Sequence, residues 1–163
     1  MSPSWDLLII IGFVFVTAVG VMLGRSKVLS VLFGSYAGYV IASETGQLVF
    51  DIIEKTAHSV DISLFLVKIA LFLLTIVILV AKTELSGRSE DTGSTLVTIV
   101  YGILASGFIT TVTLSFLDEA ERNKMLEASS LIAKVNDLKV LWIVAPIIFL
   151  IFAGFFRGRF SKN

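Results

Sequence analysis

One stretch constrains this chain more than any other. From Ile62 to Ala81, twenty consecutive residues are almost all Leu, Ile, Val, Phe or Ala, with Ser63 and Thr75 as mild exceptions and Lys68 as the single charge. Wound as an α-helix at about 1.5 Å per residue, such a run matches a hydrocarbon layer of roughly 30 Å. It predicts a transmembrane helix. Lys68 is its seventh residue, and an ammonium at that depth has three outlets: snorkelling along its own stem to the nearer interface, pairing with an acid at a neighbouring helix end, or a direct part in transport.

The rest of the composition agrees. Hydrophobic residues make up 56% of the 163-residue chain, charged residues 16%, and the mean hydropathy is +0.94; soluble domains run at about 45–50% apolar and about 25% charged. The length suits one compact membrane domain. Thirteen basic and thirteen acidic residues cancel, so a nucleic-acid partner has no electrostatic footprint. The absence of cysteine excludes disulfides, thiolate metal sites and thiol catalysis.

Four further apolar runs accompany the central one. Leu7 to Leu23 follows Trp5 and Asp6, with no basic residue ahead of it, so it reads as a retained helix with Trp5 as an interfacial anchor rather than as a secretory leader. After the basic turn Gly24-Arg25-Ser26-Lys27, Val28 to Ala42 resumes the pattern. Its fifteen residues reach only about 22 Å, so it is either a thin span or a re-entrant one. Gly20 and Gly24 in the first run, and Gly34 and Gly38 in the second, have the small-xxx-small spacing that lets helices approach closely in lipid, which predicts a tight hairpin. Leu96 to Leu117 lacks charge but repeats Thr98, Gly102, Ser106 and Thr110 every fourth residue, with Thr113 continuing the line. That stripe reads as a packing seam with interhelical hydrogen bonds, or alternatively as a polar path. Val140 to Phe156 closes the set, with Pro146 expected to kink it.

Two stretches between the spans look interfacial. In 47–60, Leu48, Val49, Ile52, Ile53, Thr56 and Val60 recur at helical spacing, and in 118–139 so do Ala128, Leu131, Ile132, Val135 and Leu138, opposite charged residues that include Arg122, Lys134 and Asp137. Asp51, Glu54 and His58 share a face of the first, which reads as a solvated surface in preference to a metal site. The fold class expected is therefore all-α: a polytopic bundle of about five spans (7–23, 28–42, 62–81, 96–117, 140–156) with two amphipathic helices.

Five crossings would put Arg25, Lys27, Lys82, Arg88, Arg157, Arg159 and Lys162 on one side. Lys55, Arg122, Lys124, Lys134 and Lys139, with most of the acids, would lie on the other. Basic loops mark the cytoplasm, so the N-terminus is expected outside and the C-terminus inside. Asp61 and Asp118 then lie on the side that Lys68 reaches, and either is its expected partner, Asp61 through i, i+7 spacing on the same helix.

No catalytic motif is visible: there is one histidine, no phosphate-binding glycine loop, no HExxH and no GxSxG. Neither an enzyme nor a cofactor is expected. The opening Trp5-Asp6, the Gly24-Arg25 turn into a glycine-containing helix, and the loop Leu85-Ser86-Gly87-Arg88 before a helix ending Phe116-Leu117-Asp118 resemble the bacterial colicin V production protein (CvpA) family over about residues 5–118. That family tends to carry an Arg-Gly pair near the helix matching Leu96 to Leu117, where this chain has Ser106-Gly107. The resemblance implies the bacterial inner membrane and a role in colicin V export or envelope homeostasis. Two function classes follow: a non-enzymatic accessory or assembly factor that binds a membrane-protein partner or itself, or a subunit of an oligomeric channel lined by Lys68 and the Thr98 to Thr113 stripe.

Overall fold

The computed structural model describes residues 5–56, 62–84 and 95–160, all of whose regular structure is helical. Seven helices follow one another: α1 (Trp5–Leu23), α2 (Arg25–Thr56), α3 (Leu64–Glu84), α4 (Thr95–Phe116), α5 (Glu119–Ala128), α6 (Ser130–Asp137) and α7 (Lys139–Phe160). The chain turns from α1 into α2 on one residue, Gly24, at φ +87°. Only a residue without Cβ enters that left-handed region without strain, which is why this helix pair needs no longer loop.

Packing partners follow from where the small residues fall. On α2, a Cβ built at Gly34 would lie 3.1 Å from the Ile76 backbone and one at Gly38 would lie 2.9 Å from the Phe72 carbonyl oxygen, so α2 seats against α3 at backbone distance. On α4, a Cβ at Gly102 would lie 3.1 Å from Thr17 Cα, which makes α1 the neighbour there. The expected hairpin of the first two helices is corrected accordingly: α1 lies along α4 and α2 along α3, with Gly20 and Val28 touching only beside the Gly24 turn. Gly34 and Gly38 are taken up by Ile76 and Phe72 of α3 instead.

Successive long helices alternate in direction. Gly34, Gly38 and Gly46 meet Ile76, Phe72 and Lys68 in descending order, and Tyr101 and Gly107 of α4 meet Phe149 and Trp142 of α7 in the same way. One end of the bundle therefore holds the α1–α2 turn, the start of α4 and the distal part of α7. Here Val28, Leu32, Tyr101 and Ala105 are buried together. The middle is filled by Ala42, Phe72, Phe108, Val112 and Phe116. At the other end Leu114, Leu117 and Ile132 close under Ile9, Phe65 and Leu126.

The span count expected from sequence is not supported. Among the described residues, α3 over Leu64–Lys82 and α4 over Thr95–Phe116 are long and apolar enough to cross a membrane. A third is added if α6 and the first part of α7, bent by 59°, are taken as one broken span. The apolar part of α1 is the shorter Ile9–Met22. The expected second span, 28–42, and residues 47–56 of the expected amphipathic segment belong to one continuous helix, α2, of 32 residues and about 48 Å, while 57–60 lie outside the described residues. Ser43-Glu44-Thr45-Gly46 does not break it: the Thr45 hydroxyl is satisfied within the helix by Ile41 O at 2.7 Å, and Gly46 is a notch for a neighbouring side chain. Conversely, 118–139 is not one helix. Ser129, in extended conformation, divides it into α5, which buries nothing, and α6, which buries Ile132 and Val135. Pro146 sits inside α7, the 59° bend lies before it, between Asp137 and Lys139, and the Tyr36 hydroxyl donates to the nearby Ile143 carbonyl.

Candidate functional site

Lys68 lies with its stem across Gly46 of α2: a Cβ at that glycine would fall 2.7 Å from Lys68 Cγ and 3.3 Å from Cε. The glycine leaves a groove for the four-carbon chain, and Lys68 is half-buried. Asp118 is engaged elsewhere. Its carboxylate accepts from Glu121 N at 2.7 Å as the N-cap of α5, and among the described residues no ion pair joins it to Lys68. Asp61 and His58 lie outside the described residues, as do the 85–94 loop, the Trp5 side chain and the basic side chains of the tail. Asp51 accepts from Gln47 at 2.9 Å, and among the described residues no group of three His, Asp or Glu is placed to hold a metal.

The hydroxyl stripe of α4 is turned inward. Thr98, Ser106 and Thr111 are buried. Ser106 donates to Gly102 O at 2.8 Å, Thr110 to Ser106 O at 2.9 Å and Thr113 to Ile109 O at 2.9 Å. The Ser106, Thr110 and Thr113 hydroxyls are thus satisfied within their own helix and not by the interhelical hydrogen bonds expected of the stripe, an arrangement that lets polar side chains sit at a tight helix contact. Two features absent from the sequence reading join them. The Trp142 indole lies flat on Gly107, where a Cβ would come within 2.0 Å of the ring, and its buried N–H has no acceptor among the described residues. Asp6, on the first turn of α1, accepts from the Ser129 hydroxyl and from Leu131 N at 3.4 Å, and Ser129 in turn caps α6 by accepting from Ile132 N at 3.1 Å.

That Asp6 and Ser129 junction builds a sizeable polar recess. By holding α5 and α6 at an angle over the end of α4, it leaves a pocket of about 440 Å3 walled by α2, α4, α5, α6 and α7, within the range of small-molecule sites. Arg122 and Asn123 enter it from α5, Asn136 from α6, Lys139 from the first position of α7 and Tyr39 from α2; Val112, Leu126 and Ile143 supply apolar wall. The Thr111 and Ser115 hydroxyls on its floor donate to Gly107 O at 2.9 Å and Val112 O at 2.7 Å. The lining contains two cations, two carboxamides and no carboxylate. The nearest acid to Arg122 is Glu119, 3.9 Å away with a side chain 89% exposed, a pair worth little in water. The positive end of α7 adds to the same sign. From sequence, Arg122 falls on the charged face of one amphipathic helix and Lys139 is only one of the basic residues on the same side. The only local signal for the pocket was the pairing of Arg122 with Asn123 and of Asn136 with Lys139, which becomes a site only once Ser129 and the bend at Leu138 fold the segment over.

Compared with protein-family models, curated proteins and solved structures, the chain gives no match.

Proposed function

We propose that this chain is a small integral membrane protein that acts as a non-enzymatic accessory or assembly factor. The observation that carries this reading is the outward face of α3. Leu66, Leu73, Leu74, Val77 and Ile78 are all exposed, and only 11% of the apolar stretch of that helix is buried. The same is true of α7, where Val140, Leu141, Val144, Ile147, Ile148, Ile151 and Phe152 face outward. An apolar surface of this extent on a folded bundle requires lipid or a partner helix. Meanwhile Ser106, Thr110 and Thr113, which would otherwise line a path, donate within α4, and Gly102 is taken up in contact with α1.

In this reading α3 and α4 cross the bilayer and α1, α2 and α7 stand against them. The end bearing Arg25 and Lys27 is cytoplasmic by the bias of basic residues, and the end bearing α5 and α6 is external. The likeness to colicin V production proteins, resting on the short motifs around Trp5, Gly24 and Leu85, points the accessory role toward export or envelope homeostasis. Alkaline carbonate washing of membranes tests residence: the protein is expected to stay in the pellet until detergent is added, and release by carbonate alone overturns it. Because the chain has no native cysteine, Ser26→Cys and Glu127→Cys give clean topology probes. Labelling of the second but not the first by an impermeant maleimide on intact cells is expected, and the opposite pattern reverses the orientation. Assembly is read by native electrophoresis in mild detergent, where a band at monomer size alone argues against it.

A further inference from the structure

We infer that the pocket beneath α5 and α6 binds a phosphate-bearing anion, either the headgroup of an anionic phospholipid or a free phosphate ester. The chemistry of the lining selects the ligand. Arg122 offers a planar fork of donors and Lys139 a point charge, the two side chains most suited to phosphate oxygens. Asn123 and Asn136 add neutral donors, and no carboxylate lines the recess to satisfy them. Glu119 is the only acid paired with Arg122 among the described residues, and at 3.9 Å and largely solvated it is readily exchanged for an anion.

Position selects the form of the ligand. Lys139 begins α7, and the residues that follow it, Val140, Leu141 and Val144, are exposed and apolar. Val112, Leu126 and Ile143 carry apolar surface into the pocket itself. The site thus lies where the oily flank of the bundle gives way to its polar cap, and a molecule with a phosphate at one end and hydrocarbon at the other satisfies both. At about 440 Å3 the recess exceeds what a bare anion needs and has room for a glycerophosphate unit. The inference deepens the membrane reading and rests on it only for the lipid source.

The test uses the full chain in a neutral detergent, with thermal stability as readout. Inorganic phosphate or glycerol 1-phosphate is compared with chloride at matched ionic strength, and phosphatidylglycerol with phosphatidylcholine in mixed micelles. A rise in Tm with phosphatidylglycerol alone identifies the lipid source, and a rise with the soluble esters identifies the free one. No rise with any of them overturns the inference. Arg122→Gln and Lys139→Gln are each expected to weaken binding by about tenfold, with helical content by circular dichroism unchanged. Lys134→Gln, on the exposed side of α6, is expected to bind as the parent does. An equal loss in Lys134→Gln shows general charge attraction and also overturns it. Should carbonate washing release the protein, the soluble arm still decides the pocket, so the two readings fail separately.

Discussion

Replacing Gly107 by alanine probes the closest contact in the bundle. The added methyl would stand 2.0 Å from Trp142 Cε3 and 2.4 Å from Cδ2 and Cζ3, whereas carbons in contact sit about 3.5–4.0 Å apart, so the ring must retreat by about 1.5 Å. It has little freedom to do so. Phe13 meets the indole edge-on, with centroids 6.0 Å apart at 72°, and the neighbouring Ile143 carbonyl is held by the Tyr36 hydroxyl. Overpacking of this kind costs about 1–3 kcal/mol, against which alanine returns up to about 1 kcal/mol of helix propensity. The net expectation is a loss of about 1–2 kcal/mol, or a fall of about 2–8 °C in Tm for a chain of this length. Thermal denaturation in mild detergent, checked by titration with a denaturing detergent, measures it. Gly12→Ala is the control, because nothing lies within 4 Å of a Cβ there, and propensity alone should raise stability. Trimming the ring in a Gly107→Ala/Trp142→Leu double variant should cost less than the two changes summed. A Tm for Gly107→Ala at or above that of the parent refutes the contact.

Asp6→Ala removes the acceptor for the Ser129 hydroxyl and Leu131 N; a loss of about 1–3 kcal/mol is expected, and Ser129→Ala in the same background should cost only about 1 kcal/mol more, the worth of the α6 cap that Ser129 makes to Ile132 N. Tyr36→Phe deletes the hydrogen bond to Ile143 O while keeping the ring on Phe108, whose centroid is 4.2 Å away, and should cost about 1 kcal/mol by the same assay. Lys68→Met keeps the stem over Gly46 and drops the charge. Stability and abundance are expected to stay within about 0.5 kcal/mol of the parent, and a larger loss shows that the ammonium has a partner or a task of its own.

How far this architecture could be read from residues depends on the range of the interactions that decide it. The helical class and the apolar cores of α3 and α4 were legible because hydropathy and length are local quantities, and the Gly24 link was legible because a glycine beside basic residues is a common helix end. The continuity of α2 was not: Gly46 looks like a breaker until Lys68, on another helix, is seen lying in the groove it leaves. The division of 118–139 was equally hidden. Ala128-Ser129-Ser130 contains neither proline nor glycine, and what holds Ser129 extended is Asp6, 123 residues earlier. The pocket depends on that same contact, so its residues were visible only as ordinary polar neighbours. Gly107 was noted for its place beside Ser106, without any sign that an indole rests on it.

The tie between Asp6 and Ser129 also orders the making of the protein. α1 is made before the helices it packs against, and the residues that seat its opening turn are synthesised 123 positions after Asp6, once α2, α3 and α4 have been made. Until then α1 has α4 as a neighbour but no anchor at its beginning, and the cap formed by α5 and α6 cannot settle. The junction therefore closes late, with a residue before α6 clasping the opening turn of α1, and a nascent chain arrested before Ser129 should remain open to protease around Asp6.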